Sequence, residues 1–516
     1  MKNTLILFIL IFIFSGAAQP IKIEQDVIAR IKEEALQHSQ VMELTSYLSD
    51  IYGPRLAGTP EYYEAAQWAA EQLKKWGLKN VSLEKLDSLQ RSWKMESISI
   101  EMIEPRYMPI TGYPRAGCRG TDGEIIGEPV IVGDIFHEDS LRKYLSIMKG
   151  RIVLVDLRKK IQPSYEPFFH RWSDEELLQA QNSLSPFPEK SLNEWEDSSP
   201  MKDRIPRWNT EEQQELRLQK LLLEAAPAVL IEPSSLQYGM VRADESHFGE
   251  DKTIEPVPSL VISTEQFYRL IRMMEKSVIP TLKINLQTKY FHNPEYQVNV
   301  LGEIPGRDSK LRPELVLIGG HLDSWHAGTG ASDNAASCTV LMEVMRIFQT
   351  LNLPIRRTVR IGLWNGEELG YHGSRDYVEK HIGNIYSGEV KPEQARMSVY
   401  LNLDNGAGKI RGLFLQGNEA VRIIFADLLQ PFADWGATTL TIQSTTYTDH
   451  EVFDVLNVPA FQFIQDPLNY MTVAHHSNLD VYDYLIEDDL KQNVVIVASL
   501  VYHLAAMDEM VPRKEK

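Results

Sequence analysis

The sequence predicts an α/β protein: a mainly parallel mixed sheet sandwiched by helices, with a second, β-rich unit inserted ahead of the main series of strands. From Val298 onward, apolar runs rich in β-branched residues ("ELVLIGGHLDS", "TVRIGLWNGEE", "MSVYLNLDN", "GLFLQG", "VPAFQFIQ") alternate with helical segments such as "AASCTVLMEVMRIFQTL". Alternation of this kind argues for a mainly parallel sheet covered on both faces. In that helix Leu341, Val344, Met345 and Phe348 recur as one apolar stripe. A chain of 516 residues also exceeds one ordinary core. Short β-rich runs between about residues 119 and 291, such as "GEIIGEPVIVGD" and "KGRIVLVDL", supply a second one.

The elements follow in order. "MKNTLILFILIFIFSGAAQP" carries Lys2, an apolar run from Leu5 to Phe14 and the small residues Ser15 to Ala18. The run is short for a membrane span and fits a secretory signal over residues 1–18, with an uncleaved anchor as the alternative, so the chain is expected to be secreted or periplasmic, without an integral membrane segment after cleavage. Residues from about 22 to 50 read as helical. In "GPRLAGTPEYYEAAQWAAEQLKKWGLKN", Thr59 is a helix N-cap, Pro60 its first residue and Gly77 lies just past its end. Ala65, Ala66, Ala69, Leu73 and Trp76 mark its buried face, and "NVSLEKL" reads as a strand. The expected divisions are residues 22–118 for the first part of the main domain, 119–291 for the inserted unit and 292–508 for the main strand series. Within the insert, the charged stretch near 158–215 reads as a solvated helical insertion, with a lid as the alternative.

Charge narrows the partners. With 53 Lys and Arg against 71 Asp and Glu the formal net charge is −18, which argues against nucleic acid, since phosphate binding needs clustered cations. Cys118 and Cys338 are the two cysteines, far apart and without thiolate-metal spacing, and both read as structural.

Ligands of such sheets bind outside the carboxyl ends of the strands, and there the polar residues share one chemistry. "VLIGG" is followed by His321 and Asp323, and the next loop ends in Asp333. "IGLW" is followed by Glu367 and Glu368, and "VYLNL" by Asp404; "VAHHSNLD" adds His475, His476 and Asp480. Any one of these is more often a cap or a solvated side chain. Together, imidazole and carboxylate without thiolate form the ligand set of a hydrolytic zinc or related divalent-metal site.

The blocks "GPRLAGTPE", "GGHLDSW", "GASDNAAS", "NGEELGYHGS", "LNLDNGAG" and "HHSNLD" resemble, in order, those of peptidase family M28, zinc aminopeptidases and carboxypeptidases of secretory routes, and in particular its carboxypeptidase Q branch. The insert resembles the protease-associated domain of many members, notably at "MKGRIVLVDL". The resemblance implies two Zn²⁺ bridged by Asp333, with His321 and Asp404 on one and Glu368 and His476 on the other. It further implies a bridging water, Glu367 as the general base and Asp323 orienting His321. His476, followed by Ser477, matches the ligand position, and His475 is expected to be a solvent-facing neighbour. "DVYD" departs from the family's Asp-Thr pattern and leaves the role of Asp480 open. His326 and His372 match no ligand position and read as structural, while Asp449 and His450 are candidates for substrate contact. The implied activity is that of a secreted exopeptidase on small peptides, releasing N-terminal residues or cleaving dipeptides. A carboxypeptidase, a zinc-dependent glutaminyl cyclase and a non-catalytic binding ectodomain are the alternatives, and a homodimer is left open.

Overall fold

The computed structural model describes residues 21–87, 91–158, 161–163, 165–192, 199–244 and 254–515. The expected signal segment, residues 1–18, lies outside them. Among the described residues no helix is long and apolar enough to cross a membrane. In chain order, the elements that build the molecule around its site are α1 (Gln25–Gln37), α2 (Pro60–Lys75), β1 (Lys79–Lys85), β2 (Ser92–Glu104), α3 (Met201–Ala225), β3 (Thr281–Phe291), β4 (Val298–Ile304), β5 (Leu315–His321), α4 (Ala336–Thr350), β6 (Thr358–Trp364), α5 (His372–His381), β7 (Met397–Asn402), β8 (Ile410–Phe414), β9 (Thr439–Thr441), β10 (Ala460–Gln465) and α6 (Glu487–Ala506).

The main sheet has eight strands in the order β1-β4-β6-β5-β7-β10-β8-β9. Its centre, β6-β5-β7-β10, is parallel, whereas β1, β4 and β8 join antiparallel neighbours. The two-residue period of β5 explains why both faces are covered. Val316 and Ile318 pack into a core with α1, α4 and α6, while Leu315 and Leu317 pack on the other side with Trp364, Tyr377 and Tyr400. α2 starts as expected: Thr59 Oγ1 accepts the Tyr62 N–H and Pro60 is the first helical residue. α4, by contrast, is buried on every side from Ala336 to Phe348, because other helices cover the face that its stripe leaves free. Its buried Glu343 is paired with Arg346.

The second unit consists of two packed sheets. In one, β2 and β3 pair antiparallel from Ser92–Phe291 to Glu104–Thr281, with two shifts of register on the way. The other has five strands, including Ile152–Val155, Val229–Pro233 and Ser259–Ile262, which are parallel to one another. The chain therefore enters this unit at about Ser92, ahead of residue 119, since β2 finds its partner nearly two hundred residues later. Leu56 and Trp325 of the main unit are buried in the second unit's core.

The charged insertion does more than extend into solvent. α3 carries two separate apolar patches: Met201, with Ile205 and Trp208, packs on the main unit beside Tyr377 and Phe453, and Leu221, Leu222 and Ala225 pack on the second unit's parallel sheet. Near its start Arg204 forms a buried ion pair with Glu451.

Arg55 ties the loops beneath the strand ends together. Its buried guanidinium donates to the carbonyls of Leu322 (2.8 Å), Leu48 (2.7 Å), Thr329 (2.9 Å) and Gly330 (2.9 Å). Arg55→Met would leave these carbonyls without their donor. It should lower unfolding stability of the metal-free protein by at least about 3 kcal/mol in denaturant titration; a loss below about 1 kcal/mol would contradict this account. At the far end of α5, His381 Nε2 lies 2.9 Å from Glu84 and Nδ1 3.5 Å from Glu393. The hydrogen bonds to Glu393 and Glu84 raise the imidazole pKa to about 9. A raised folded-state pKa stabilises fully below the unfolded value of about 6.5 and ceases to as pH rises through the folded one. His381→Gln should therefore cost on the order of 1–2 kcal/mol at about pH 6 and almost nothing near pH 10, the partial exposure of the ring keeping the figure small.

Candidate metal centre

The parallel direction of β5, β6 and β7 brings their carboxyl ends to one edge. His321 is the last residue of β5, Glu367 and Glu368 follow β6 by three and four residues, and Asp404 follows β7 by two. Close backbone approach makes the cluster possible. A Cβ at Gly320 would stand 2.9 Å from the Leu403 carbonyl oxygen and 3.1 Å from Asn334 Nδ2, so the absence of a side chain lets the loops bearing Asp404 and Asp333 close on His321.

Asp333 is the centre of the arrangement. His321 Nε2 lies 3.1 Å from Asp333 Oδ1 and 3.2 Å from Asp404 Oδ1. On the other side His476 Nε2 lies 3.6 Å from Asp333 Oδ2 and 3.0 Å from Glu368 Oε2. His321, Asp333 and Asp404 have ligand atoms within 4.8 Å of one another, as do Asp333, His475 and His476. All seven residues expected at the site from the sequence, Asp323 and Glu367 included, are thus brought to one edge of the sheet.

Their environment calls for positive charge. Burial favours a neutral ring at His321, yet the carboxylates of Asp404, Asp323 and Asp333 raise its pKa well above the usual histidine range. Burial likewise lowers and Glu368 with Asp244 raises His476, the net being about 10. Burial, then the neighbouring Asp333, pushes Glu368 up to about 7. Asp333 Oδ2 and Glu368 Oε1 are buried oxygens without a hydrogen-bond partner among the described residues. Convergent oxygen and imidazole donors with orphaned carboxylate atoms fit divalent cations bound on either side of Asp333.

Supporting contacts hold the donors still. Asp480, whose role the sequence left open, accepts the N–H groups of Ser332 (2.6 Å) and Asp333 (3.1 Å). Thr448 Oγ1 donates to Asp404 Oδ2. His321 Nδ1 faces the Asp323 carbonyl at 3.1 Å and its carboxylate at 3.6 Å, and the same carboxylate accepts the Glu367 N–H at 3.3 Å. Asp323 thus meets the Nδ1 edge of His321 with its backbone carbonyl, its carboxylate standing farther off. Glu367 stands beside the cluster; burial, with Asp404, Asp449 and Glu368 nearby, raises its pKa well above the ordinary carboxylate value.

Several expectations change. His475 is buried rather than solvent-facing, its ring stacked on His476 at 3.6 Å between centroids. Asp449 accepts the Ser374 hydroxyl beneath the cavity wall, and His450 is buried beside Gln416. That segment reaches the cavity through Thr446 and Tyr447. His326 is structural, its Nε2–H donating to the Pro114 carbonyl at 2.8 Å, and burial lowers its pKa to about 4. Cys118 and Cys338 are buried thiols, and the Cys338 thiol donates to the His321 carbonyl.

A cavity of about 530 Å³ opens over the cluster. Its far wall is α3, which presents Trp208, Glu211 and Glu215 at helical spacing, and α5 adds Arg375. From the sequence this wall is a charged, Trp-containing helical insertion, which reads as solvated with a lid as the alternative.

Residues 299–501 match Peptidase family M28. Carboxypeptidase Q of Mus musculus is 24% identical over 99% of this chain and 100% of its own length, and that of Homo sapiens 25% identical over 91% and 86%. Among solved structures, a Peptidase M28 precursor from Shewanella amazonensis SB2B superposes with a TM-score of 0.67 at 20% identity, covering 95% of this chain and 99% of that one. BSAP, a zinc aminopeptidase from Bacillus subtilis, superposes with a TM-score of 0.56 at 17% identity, covering 91% and 95%. The eight-stranded unit with its cluster of histidines and carboxylates accordingly carries a Peptidase family M28 domain, that of a metallopeptidase, over residues 299–501.

Proposed function

We propose that the chain is a secreted di-zinc exopeptidase that releases N-terminal residues from small peptides or cleaves dipeptides. The observation that carries this reading is the position of Asp333, shared between a His321–Asp404 pair and a His476–Glu368 pair, with Glu367 alongside at the floor of one cavity. In this reading His321, Asp404 and Asp333 hold one zinc, and His476, Glu368 and Asp333 the other. Zinc bound there supplies Lewis acidity, polarising the scissile carbonyl and lowering the pKa of water.

The protein's own groups do the rest. Glu367 takes the proton of the attacking water and delivers it to the leaving amine, a role favoured by a pKa raised through burial. Asp323 fixes the ring of His321 and the backbone ahead of Glu367, so base and metal ligand keep a common geometry. Asp480 holds the backbone N–H groups of Ser332 and Asp333, so the Asp333 carboxylate would keep its place as a ligand to metal bound there. α3 closes the far side of the cavity and limits the peptide to a short one, while its acidic face suits a free α-amine. The second unit, in this reading a protease-associated domain, supports the helix that walls this cleft.

Arg375 favours a second reading, that of a carboxypeptidase. It lines the cavity, its guanidinium donating to the Gly370 carbonyl and to the Tyr386 hydroxyl, with no carboxylate partner among the described residues. A guanidinium so placed suits a substrate carboxylate. The test is hydrolysis of free dipeptides, N-blocked dipeptides and aminoacyl-anilides by zinc-loaded wild type and Glu367→Gln. The expected outcome is cleavage that requires a free amine, reduced about 10²–10⁴-fold in kcat by Glu367→Gln with metal content unchanged. Cleavage of N-blocked substrates would move the assignment to a carboxypeptidase, and full activity of Glu367→Gln would remove Glu367 as the base.

A further inference from the structure

One carboxylate at the centre comes from outside the main sheet. Asp244 belongs to the second unit, on the segment that follows the strand Val229–Pro233. Its Oδ1 lies 3.3 Å from His476 Nδ1, on the edge of the ring opposite the Nε2 that faces Glu368 at 3.0 Å. That Oδ1 is buried and has no hydrogen-bond partner among the described residues, the His476 ring being the cationic group it faces.

The segment carrying Asp244 is fastened to the loop carrying His476. Val241 N–H donates to Asn478 Oδ1 at 2.7 Å, and Asn478 N–H returns to the Val241 carbonyl at 3.0 Å. Arg242 Nε donates to the His475 carbonyl (3.1 Å) and its Nη2 to that of Met471 (3.3 Å). Asp244 is anchored in turn, its carbonyl accepting the Ala116 N–H at 3.1 Å. The His476 ring also lies 5.6 Å from Trp325, whose indole is buried in the second unit's core.

We infer that Asp244 is a positioning residue for the metal centre: it accepts the Nδ1 proton of His476, fixes the tautomer that leaves Nε2 free for metal, and makes the second unit part of the site. The contrast with His321 supports this. That ring is steadied by Asp323, two residues away on the same loop, whereas the loop around His476 offers its ring no comparable carboxylate and receives one from another domain. Carboxylates behind ligating histidines raise ligand basicity and hold ring orientation, and their loss costs 10–100-fold in metal affinity.

The inference rests on the two-metal reading above, and its test reads metal rather than turnover. Zinc affinities of wild type, Asp244→Asn and Asp244→Glu are measured by competition with a chromogenic chelator, together with the visible spectrum of the Co²⁺-loaded proteins and the Tm of the metal-free ones. The expected result is that Asp244→Asn weakens one of two zinc ions about 10–100-fold, alters the Co²⁺ bands and leaves the metal-free Tm unchanged, while Asp244→Glu recovers most of the affinity. Two zinc ions held by Asp244→Asn as tightly as by wild type would overturn the role of Asp244 alone. A wild type that binds no zinc would overturn the two-metal reading and this inference with it.

Discussion

The structure depends on one electrostatic constraint: Asp333, Asp404 and Glu368 are crowded with two imidazoles into the buried edge of a parallel sheet. Like charges at such distances in a desolvated pocket repel strongly unless a cation stands between them. The histidine pKa values rise for the same reason that metal would bind there, since a proton is the smallest cation the site can take up. Much of the surrounding architecture keeps this arrangement from relaxing. Arg55 draws together the carbonyls of the loops on either side of Ser324, Gly320 admits the loops bearing Asp333 and Asp404, and Asp480 holds the backbone of the bridging carboxylate.

The second unit is joined to this centre by more than a linker. Leu56 and Trp325 reach into its core, and Val241, Arg242 and Asp244 reach back to the loop that carries His476. α3 spans both bodies, with one apolar patch on each, and its intervening turns wall the cavity. A polar helix with two short apolar patches is stable here because each patch has its own partner surface. The wall of the cleft is therefore set by how one helix docks on both units, and the proposed limit to short peptides rests on that geometry.

The strand ends were the most legible part of the sequence, because fully buried parallel strands are continuous apolar runs and the residues that end them share one chemistry. Thr59, Pro60 and Gly77 likewise marked the bounds of α2 by local rules alone. What could not be read depended on long-range partners. β2 is an ordinary strand until β3 pairs with it, so the second unit begins near Ser92 instead of 119. The stripe on α4 understates a helix buried all round, since the helices on its outer face come from both ends of the chain. His475 and His476 are alike by type, and only the Ser477 that follows singled out His476; the fold stacks them and turns His476 toward Glu368 and Asp333. Asp244 carried no motif at all, for its meaning lies in a neighbour more than two hundred residues away.

The most direct test of the central claim is a crystal structure of the zinc-loaded protein with anomalous difference maps at the zinc edge. Two peaks are expected, one between His321, Asp333 and Asp404 and one between Asp333, Glu368 and His476, with Asp333 contributing an oxygen to each. A single peak, or a second ion held by His475 in place of Glu368, would contradict the account.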